Sequence, residues 1–358
     1  MSKQRKLLVM AGGTGGHVFP ALAVAKELAQ QGWQIHWLGT PKRMEAQLVP
    51  QHGIDISFID VEGVRGNGLL RLLKSPFKIW QAIRQAKKVI AQQQPDVALG
   101  MGGFASGPGG VAAKMMGLPL IIHEQNATAG LTNKLLAKIA NVNLCAFNQA
   151  LVNAQVVGNP VRQEMQPVTT EKTHAGIRLL VVGGSLGAQV LNEQVPQAVA
   201  LIHNDVELHI WHQTGKGKKD KVEQAYQYPD NVKVVEFIDD MAEAYQWADI
   251  VICRSGALTV SELAAVGLPS ILVPYPHAVD DHQTKNGQYL VDAGGAKLMP
   301  QSQLSPEGLA AMVLELAIDE QLQHMSAAAL SCARYDATAV VAQKCLELAQ
   351  QYEGTSHV

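Results

Sequence analysis

The residues best suited to chemistry in this 358-residue chain sit in short glycine-rich segments. Gly12-Gly-Thr-Gly-Gly-His17 lies between an apolar run and a helical pattern. Glycines let a backbone come close to a ligand, and a helix N-terminus offers N–H groups to a phosphate. His17 falls in the first helical turn, where an imidazole with an ordinary pKa of about 6.5 suits a general base. A phosphate-contacting or capping histidine is the plainer alternative. Gly183-Gly-Ser185 repeats the arrangement with a hydroxyl, and Gly100-Met-Gly-Gly-Phe-Ala105 matches GxGxxA. The first loop is not GxGxxG, and no Walker GK[ST] occurs. Any one of these loops could be a simple tight turn, but three together point to an anionic ligand.

Two further segments follow apolar runs. His123-Glu-Gln-Asn126 succeeds Leu118–Ile122, and Arg254-Ser-Gly-Ala-Leu-Thr-Val-Ser-Glu262 succeeds Ile250–Cys253. The Ser-Gly-Ala turn opens a helix able to hold a diphosphate, and Glu262 is placed to accept hydrogen bonds from sugar hydroxyls. The bland readings are a capped polar loop and a solvent-facing glutamate. In His277-Ala-Val-Asp-Asp-His-Gln283 the consecutive Asp280, Asp281 and His282 diverge, so no metal site is expected.

Such loops need strands that end where helices begin. Lys6–Ala11, Ile35–Gly39, Ile56–Val61, Val97–Gly100, Leu120–Ile122 and Asn143–Ala146 read as strands, with Val18–Leu28 as the first helix. Arg178-Leu-Leu-Val-Val182 restarts the pattern, and Leu208–Gln213, Val232–Glu236, Ile250–Cys253 and Ser270–Val273 follow. Alternating strands and helices predict mostly parallel, doubly wound α/β sheets. At about 150 residues per domain the length predicts two domains. We place them at 1–162 and 163–340, with a linker across Gly158–Gly176 and a C-terminal helix and tail at 341–358. Two such domains face one cleft, and ligands bind at the carboxyl ends of their strands.

The chain is 47% hydrophobic and 17% charged, which excludes a disordered protein. Its formal net charge of −2 hides an asymmetry: residues 1–162 hold 17 Lys/Arg against 7 Asp/Glu, and the remainder hold 12 against 24. A basic first half points to an anionic partner there. Gly63–Pro95 carries seven bases and no acid, with Arg71, Lys74, Phe77, Lys78 and Trp80 among apolar residues at near-helical spacing. This reads as a surface for anionic lipid, against the alternative of a solvated amphipathic helix. Pro76 marks a helix start or break. No nucleic-acid-binding signature is present. Cys145, Cys253, Cys332 and Cys345 are too scattered for a metal cluster or disulfide framework, and a reducing cytosol suits them. Leu7–Ala11 is too short for a signal peptide, and the longest uncharged runs are broken by Gly and Pro.

Taken together, Gly12–Pro20, Met101–Gly110, His123–Asn126, Val157-Gly-Asn-Pro-Val-Arg162, Cys253–Glu262 and Pro274–Asn286 resemble the MurG glycosyltransferases of bacterial peptidoglycan synthesis. The match runs in order along nearly the whole chain. The resemblance implies a GT-B fold and inverting transfer of N-acetylglucosamine from UDP-GlcNAc to the MurNAc 4-hydroxyl of lipid I, giving lipid II. It implies no obligatory cofactor or metal, and docking on anionic lipids at the cytoplasmic face of the inner membrane. Cell-wall and division proteins are the protein partners it suggests.

Carried over by motif, the donor contacts are Thr14, Gly15, Gly16, Asn126, Arg162, Ser185, Ile238, Ala257, Leu258, Thr259, Val260, Ser261, Glu262 and Gln283. Gly102, Gly103, Phe104 and Ser106 would meet the acceptor. His17 would be the base, with Glu124 as runner-up. Leu186 departs from the family's Gly-Gly-Ser-Gln-Gly and removes one polar side chain near the phosphates; Phe104 stands where Tyr is also common. Two rivals share the architecture. A UDP-GlcNAc 2-epimerase would need acid/base groups on both faces of one sugar and no lipid surface, and His17, Arg162, Ser185 and Glu262 together argue against a non-catalytic nucleotide-sugar scaffold.

Overall fold

The computed structural model describes residues 4–61, 69–168, 174–184 and 186–355. Ser185 lies outside the described residues, as do Arg65 and the side chains of Arg71 and Lys74. The chain forms two compact units. Residues up to Arg162, joined by those from Tyr335 onward, make unit 1; Gln163–Arg334 make unit 2.

Unit 1 runs β1 (Lys6–Met10), α1 (Gly15–Gln30), β2 (Gln34–Gly39), α2 (Met44–Gln51), β3 (Asp55–Phe58), α3 (Leu69–Gln93), β4 (Val97–Gly100), α4 (Ser106–Met115), β5 (Leu120–Glu124), α5 (Leu131–Leu136), β6 (Val142–Cys145) and β7 (Gln155–Val156). Unit 2 runs β8 (Ile177–Val182), α6 (Gln189–Ile202), β9 (Leu208–Gln213), α7 (Lys219–Ala225), β10 (Val232–Val235), α8 (Met241–Trp247), β11 (Ile250–Cys253), α9 (Ala257–Val266), β12 (Ser270–Leu272), α10 (His282–Ala293), β13 (Ala296–Leu298), α11 (Pro306–Leu316) and α12 (Asp319–Ser331). The last helix, α13 (Ala337–Thr355), belongs to unit 1.

Both sheets are parallel and share one winding. The orders are β3-β2-β1-β4-β5-β6-β7 and β10-β9-β8-β11-β12-β13. The order reverses at β1/β4 in the first and at β8/β11 in the second. Leu7, Leu8, Val9 and Met10 are all fully buried, as a central strand covered on both faces requires. Alternate β1 residues feed two cores: Leu7 and Val9 face α1 and α13, whereas Leu8 and Met10 face α3 and α4. On α13, Val341, Cys345, Leu348 and Ala349 recur at helical spacing and bury beside Val18, Ala21 and Leu22 of α1.

Three features differ from the sequence expectation. The helix placed at 341–358 begins at Ala337, and the chain leaves unit 2 at Arg334 rather than at residue 340. Its apolar stripe completes the face that α1 leaves open, a long-range pairing that local periodicity does not show. Helix α3 also runs through Pro76 instead of starting or breaking there. The ring removes one backbone donor, yet the helix continues on both sides of it. Finally, β7 and β13 have two and three residues, too few for a periodic pattern.

Candidate active site

In unit 1 the loops leaving β1 and β4 meet at the reversal of strand order, where open α/β sheets bind ligands. Thr14 is exposed at the N-cap of α1, and its carbonyl accepts from the N–H groups of His17 and Val18 at 3.1 and 3.2 Å. Gly15 and Gly16 open the helix, and α1 leaves its first N–H groups without intrahelical acceptors.

The glycine loop is pinned from behind by Glu45. This fully buried carboxylate accepts from the Gly13 N–H at 2.9 Å, the Thr40 N–H at 3.0 Å and the Thr40 hydroxyl at 2.7 Å. The β4 loop packs directly on it. Gly103 has φ +83°, and a Cβ there would lie 2.1 Å from the Gly12 carbonyl oxygen. Gly102 has φ +93°, and its Cβ would fall 2.8 Å from Nδ1 of His17. Phe104 is part-exposed under the Arg43 guanidinium. Ser106 is fully buried, with its hydroxyl 2.7 Å from the carbonyl oxygens of Met10 and Gly102. That side chain fastens the loop and faces no solvent, so the structure does not offer it to an acceptor.

Half-buried His17 points Nδ1 at Oε1 of Gln125, 2.9 Å away. The Gln125 amide nitrogen donates to Nδ1 and to the carbonyl of His123. Glu124 is buried and committed on both oxygens. Oε1 accepts from the backbone and side-chain N–H groups of Asn126, and Oε2 from Asn133 at 2.8 Å and the Gly130 N–H at 3.3 Å. It staples the loop after β5, a job that leaves it poorly placed as the alternative base. The Arg162 guanidinium stacks on Phe19 of α1, 4.9 Å from the ring centre.

Unit 2 repeats the device with different side chains. Buried Gln213 accepts from the Gly183 N–H at 3.2 Å and donates to the carbonyls of Gly184 and Glu236. Behind the loop, His212 accepts from the Tyr226 hydroxyl and donates to Asn192, whose amide holds the Thr214 carbonyl. Burial drives the His212 pKa down to about 3, so the ring stays neutral. Leu186 is 84% exposed.

Gly256 caps α9, and the Val260 N–H already donates to its carbonyl. The Val260 side chain is fully buried, and the Ser261 hydroxyl turns back to the Ala257 carbonyl. The N-terminal turn through Ala257, Leu258 and Thr259 is therefore the part of the segment suited to an anion. Glu262 is 4% exposed, not solvent-facing, and accepts from the Tyr245 hydroxyl at 3.2 Å. Burial, with the Glu262 charge second, pushes the neighbouring Cys253 thiol up to about 12, so it stays protonated. Arg254 braces the β12 loop through the carbonyls of Val273 and Pro274 and through Gln301. Gln283 holds the same loop by accepting from the Tyr275 N–H. Ile238 is buried, following exposed Phe237. Among the described residues no three or more His, Cys, Asp or Glu side chains gather as a metal site would.

On α3, Phe77 and Trp80 are 66% and 51% exposed with ring centres 5.9 Å apart, and Arg84 lies over Trp80. Further along the helix, Ala82, Ala86, Val89 and Ile90 bury one face in the core. Among the described residues no helix is long and apolar enough to cross a membrane.

Residues 7–144 match the glycosyltransferase family 28 N-terminal domain, and residues 178–343 match its C-terminal domain. The UDP-N-acetylglucosamine–N-acetylmuramyl-(pentapeptide) pyrophosphoryl-undecaprenol N-acetylglucosamine transferase of Shewanella baltica OS223 is 59% identical over 97% of this chain and 98% of its own length. The crystal structure of Acinetobacter baumannii MurG is 43% identical and covers 96% of this chain and 99% of its own, with a TM-score of 0.84. A UDP-N-acetylglucosamine 2-epimerase superposes with a TM-score of 0.67 over 94% of each chain at 16% identity, a likeness of fold alone. With two parallel α/β domains of GT-B type and full-length identity at this level, the chain belongs to the MurG family of glycosyltransferases.

Proposed function

We propose that this glycosyltransferase moves N-acetylglucosamine from UDP-GlcNAc to the MurNAc 4-hydroxyl of lipid I, forming lipid II. The observation that carries this reading is the 59% identity, over 97% of the chain, to a relative whose name states that donor and that acceptor. In one inverting step the acceptor oxygen bonds to the anomeric carbon as the bond to UDP breaks. The hydroxyl proton passes to His17, which supplies general-base catalysis. Donor binding falls to unit 2: the N-terminal turn of α9 and the Gly183–Gly187 loop take the diphosphate, and Glu262 takes the ribose hydroxyls. These N–H groups stabilise the departing charge without calling on an obligatory metal. Gly102, Gly103 and Phe104 line the acceptor side.

Docking on anionic lipid of the inner membrane, at its cytoplasmic face, is part of the same proposal. Exposed Phe77 and Trp80 beside Lys78 and Arg84 support it. Partners among cell-wall and division proteins rest on the family alone. The test incubates the protein with radiolabelled UDP-GlcNAc and a lipid I analogue. Label appearing in the lipid supports the proposal; UDP-ManNAc formed from the donor alone would identify an epimerase, and binding without turnover a scaffold.

A further inference from the structure

Four polar groups of unit 1 form a chain whose hydrogen-bond polarity is set by its ends. Nε2 of His123 lies 2.9 Å from the Gly158 carbonyl oxygen. A carbonyl oxygen only accepts, so Nε2 bears the proton. His123 is fully buried, and loss of solvation drives its pKa down to about 4; the ring is neutral at pH 7 and Nδ1 is a bare acceptor. The Gln125 amide nitrogen donates to that Nδ1 at 3.1 Å and to the His123 carbonyl at 3.2 Å. Turning the amide over would set oxygen against oxygen, so its neighbours fix its orientation. Oε1 must then face Nδ1 of His17, 2.9 Å away. Because Oε1 only accepts, the proton of a neutral His17 belongs on Nδ1, and the lone pair on Nε2.

We infer that Gln125 and His123 are positioning residues that hold His17 as the Nδ1–H tautomer, with Nε2 as the atom that takes the acceptor proton. The inference rests on the reading of His17 as base. It identifies a neutral amide where Ser-His-Asp enzymes use a carboxylate, so the imidazole is oriented without an added charge. Gly102 takes part by having no side chain: a Cβ there would crowd the edge of His17 that bonds to Gln125.

Two measurements test this. Nitrogen-15 NMR of the histidine rings in the wild-type protein reads the tautomer directly. The expected spectrum has His17 protonated at Nδ1 and His123 protonated at Nε2. An Nε2–H form of His17 overturns the inference, whatever the variants do. In the second, Gln125→Met removes the acceptor at similar volume. Gln125→Met should lower kcat by about 10-fold or more, within the ~10²–10⁴-fold that a positioned base supplies. KM for UDP-GlcNAc should stay within twofold. An unchanged kcat in Gln125→Met, with His17→Ala impaired, overturns the relay and leaves the base standing. An unimpaired His17→Ala removes the base reading itself.

Discussion

At the scale of single residues, two buried polar side chains hold the backbone of the glycine loops. Glu45 and Gln213 hold backbone: each reaches from a neighbouring element to fix a glycine loop. Neither was legible in the sequence, because a side chain that bonds the backbone of a distant loop leaves no local pattern. His17 and Glu262 were legible because each follows a strand and a glycine turn. The sequence left Glu262 open to being solvent-facing, and its burial beside Tyr245 removes that option. Glu262→Gln keeps the shape and removes the charge. It should weaken UDP-GlcNAc binding by about 1–3 kcal/mol, read by calorimetry on a variant of unchanged Tm. Unchanged donor affinity would mean that the ribose lies elsewhere.

At the scale of elements, most strands were readable as apolar runs bounded by turn residues. What escaped was short or long-range: β7 and β13, and the return of α13 to unit 1. The β1 and β4 loops touch backbone to backbone at Gly12 and Gly103. Gly103→Ala should therefore cost more than about 2 kcal/mol, because the positive φ and the collision with the Gly12 carbonyl add. Chemical denaturation measures it, and a loss below about 0.5 kcal/mol would show that the loops can part. Helix α3 makes a separate prediction. Each base near an anionic surface contributes about 1 kcal/mol, screened by salt. Replacing Arg71, Lys74 and Lys78 with Gln should release the protein from anionic vesicles at low salt. Equal sedimentation of the wild type with neutral and anionic vesicles would remove charge from the account.

At the scale of the whole molecule, each unit keeps a buried neutral histidine near the carboxyl end of a strand, His123 on β5 in unit 1 and His212 on β9 in unit 2. Both pKa values are depressed in the fold, to about 4 and about 3. Below the unfolded value of roughly 6.5 the unfolded chain binds protons that the folded units refuse, so stability falls with pH from there down to those values. At pH 5 the loss is about 2 kcal/mol for each histidine. Thermal unfolding from pH 7.5 to 5 should show Tm falling with acidification, and His212→Gln should flatten the fall for unit 2. A Tm that holds level would contradict the buried neutral state. The proposed function divides the labour, with the base in unit 1 and the donor site in unit 2. The steady-state kinetics of His17→Ala, with UDP-GlcNAc and a lipid I analogue both varied to saturation, test it most directly. The kcat should fall by about 10²–10⁴-fold, with KM for UDP-GlcNAc within twofold of wild type. A kcat near wild type with weakened donor binding would contradict it and make His17 a donor contact.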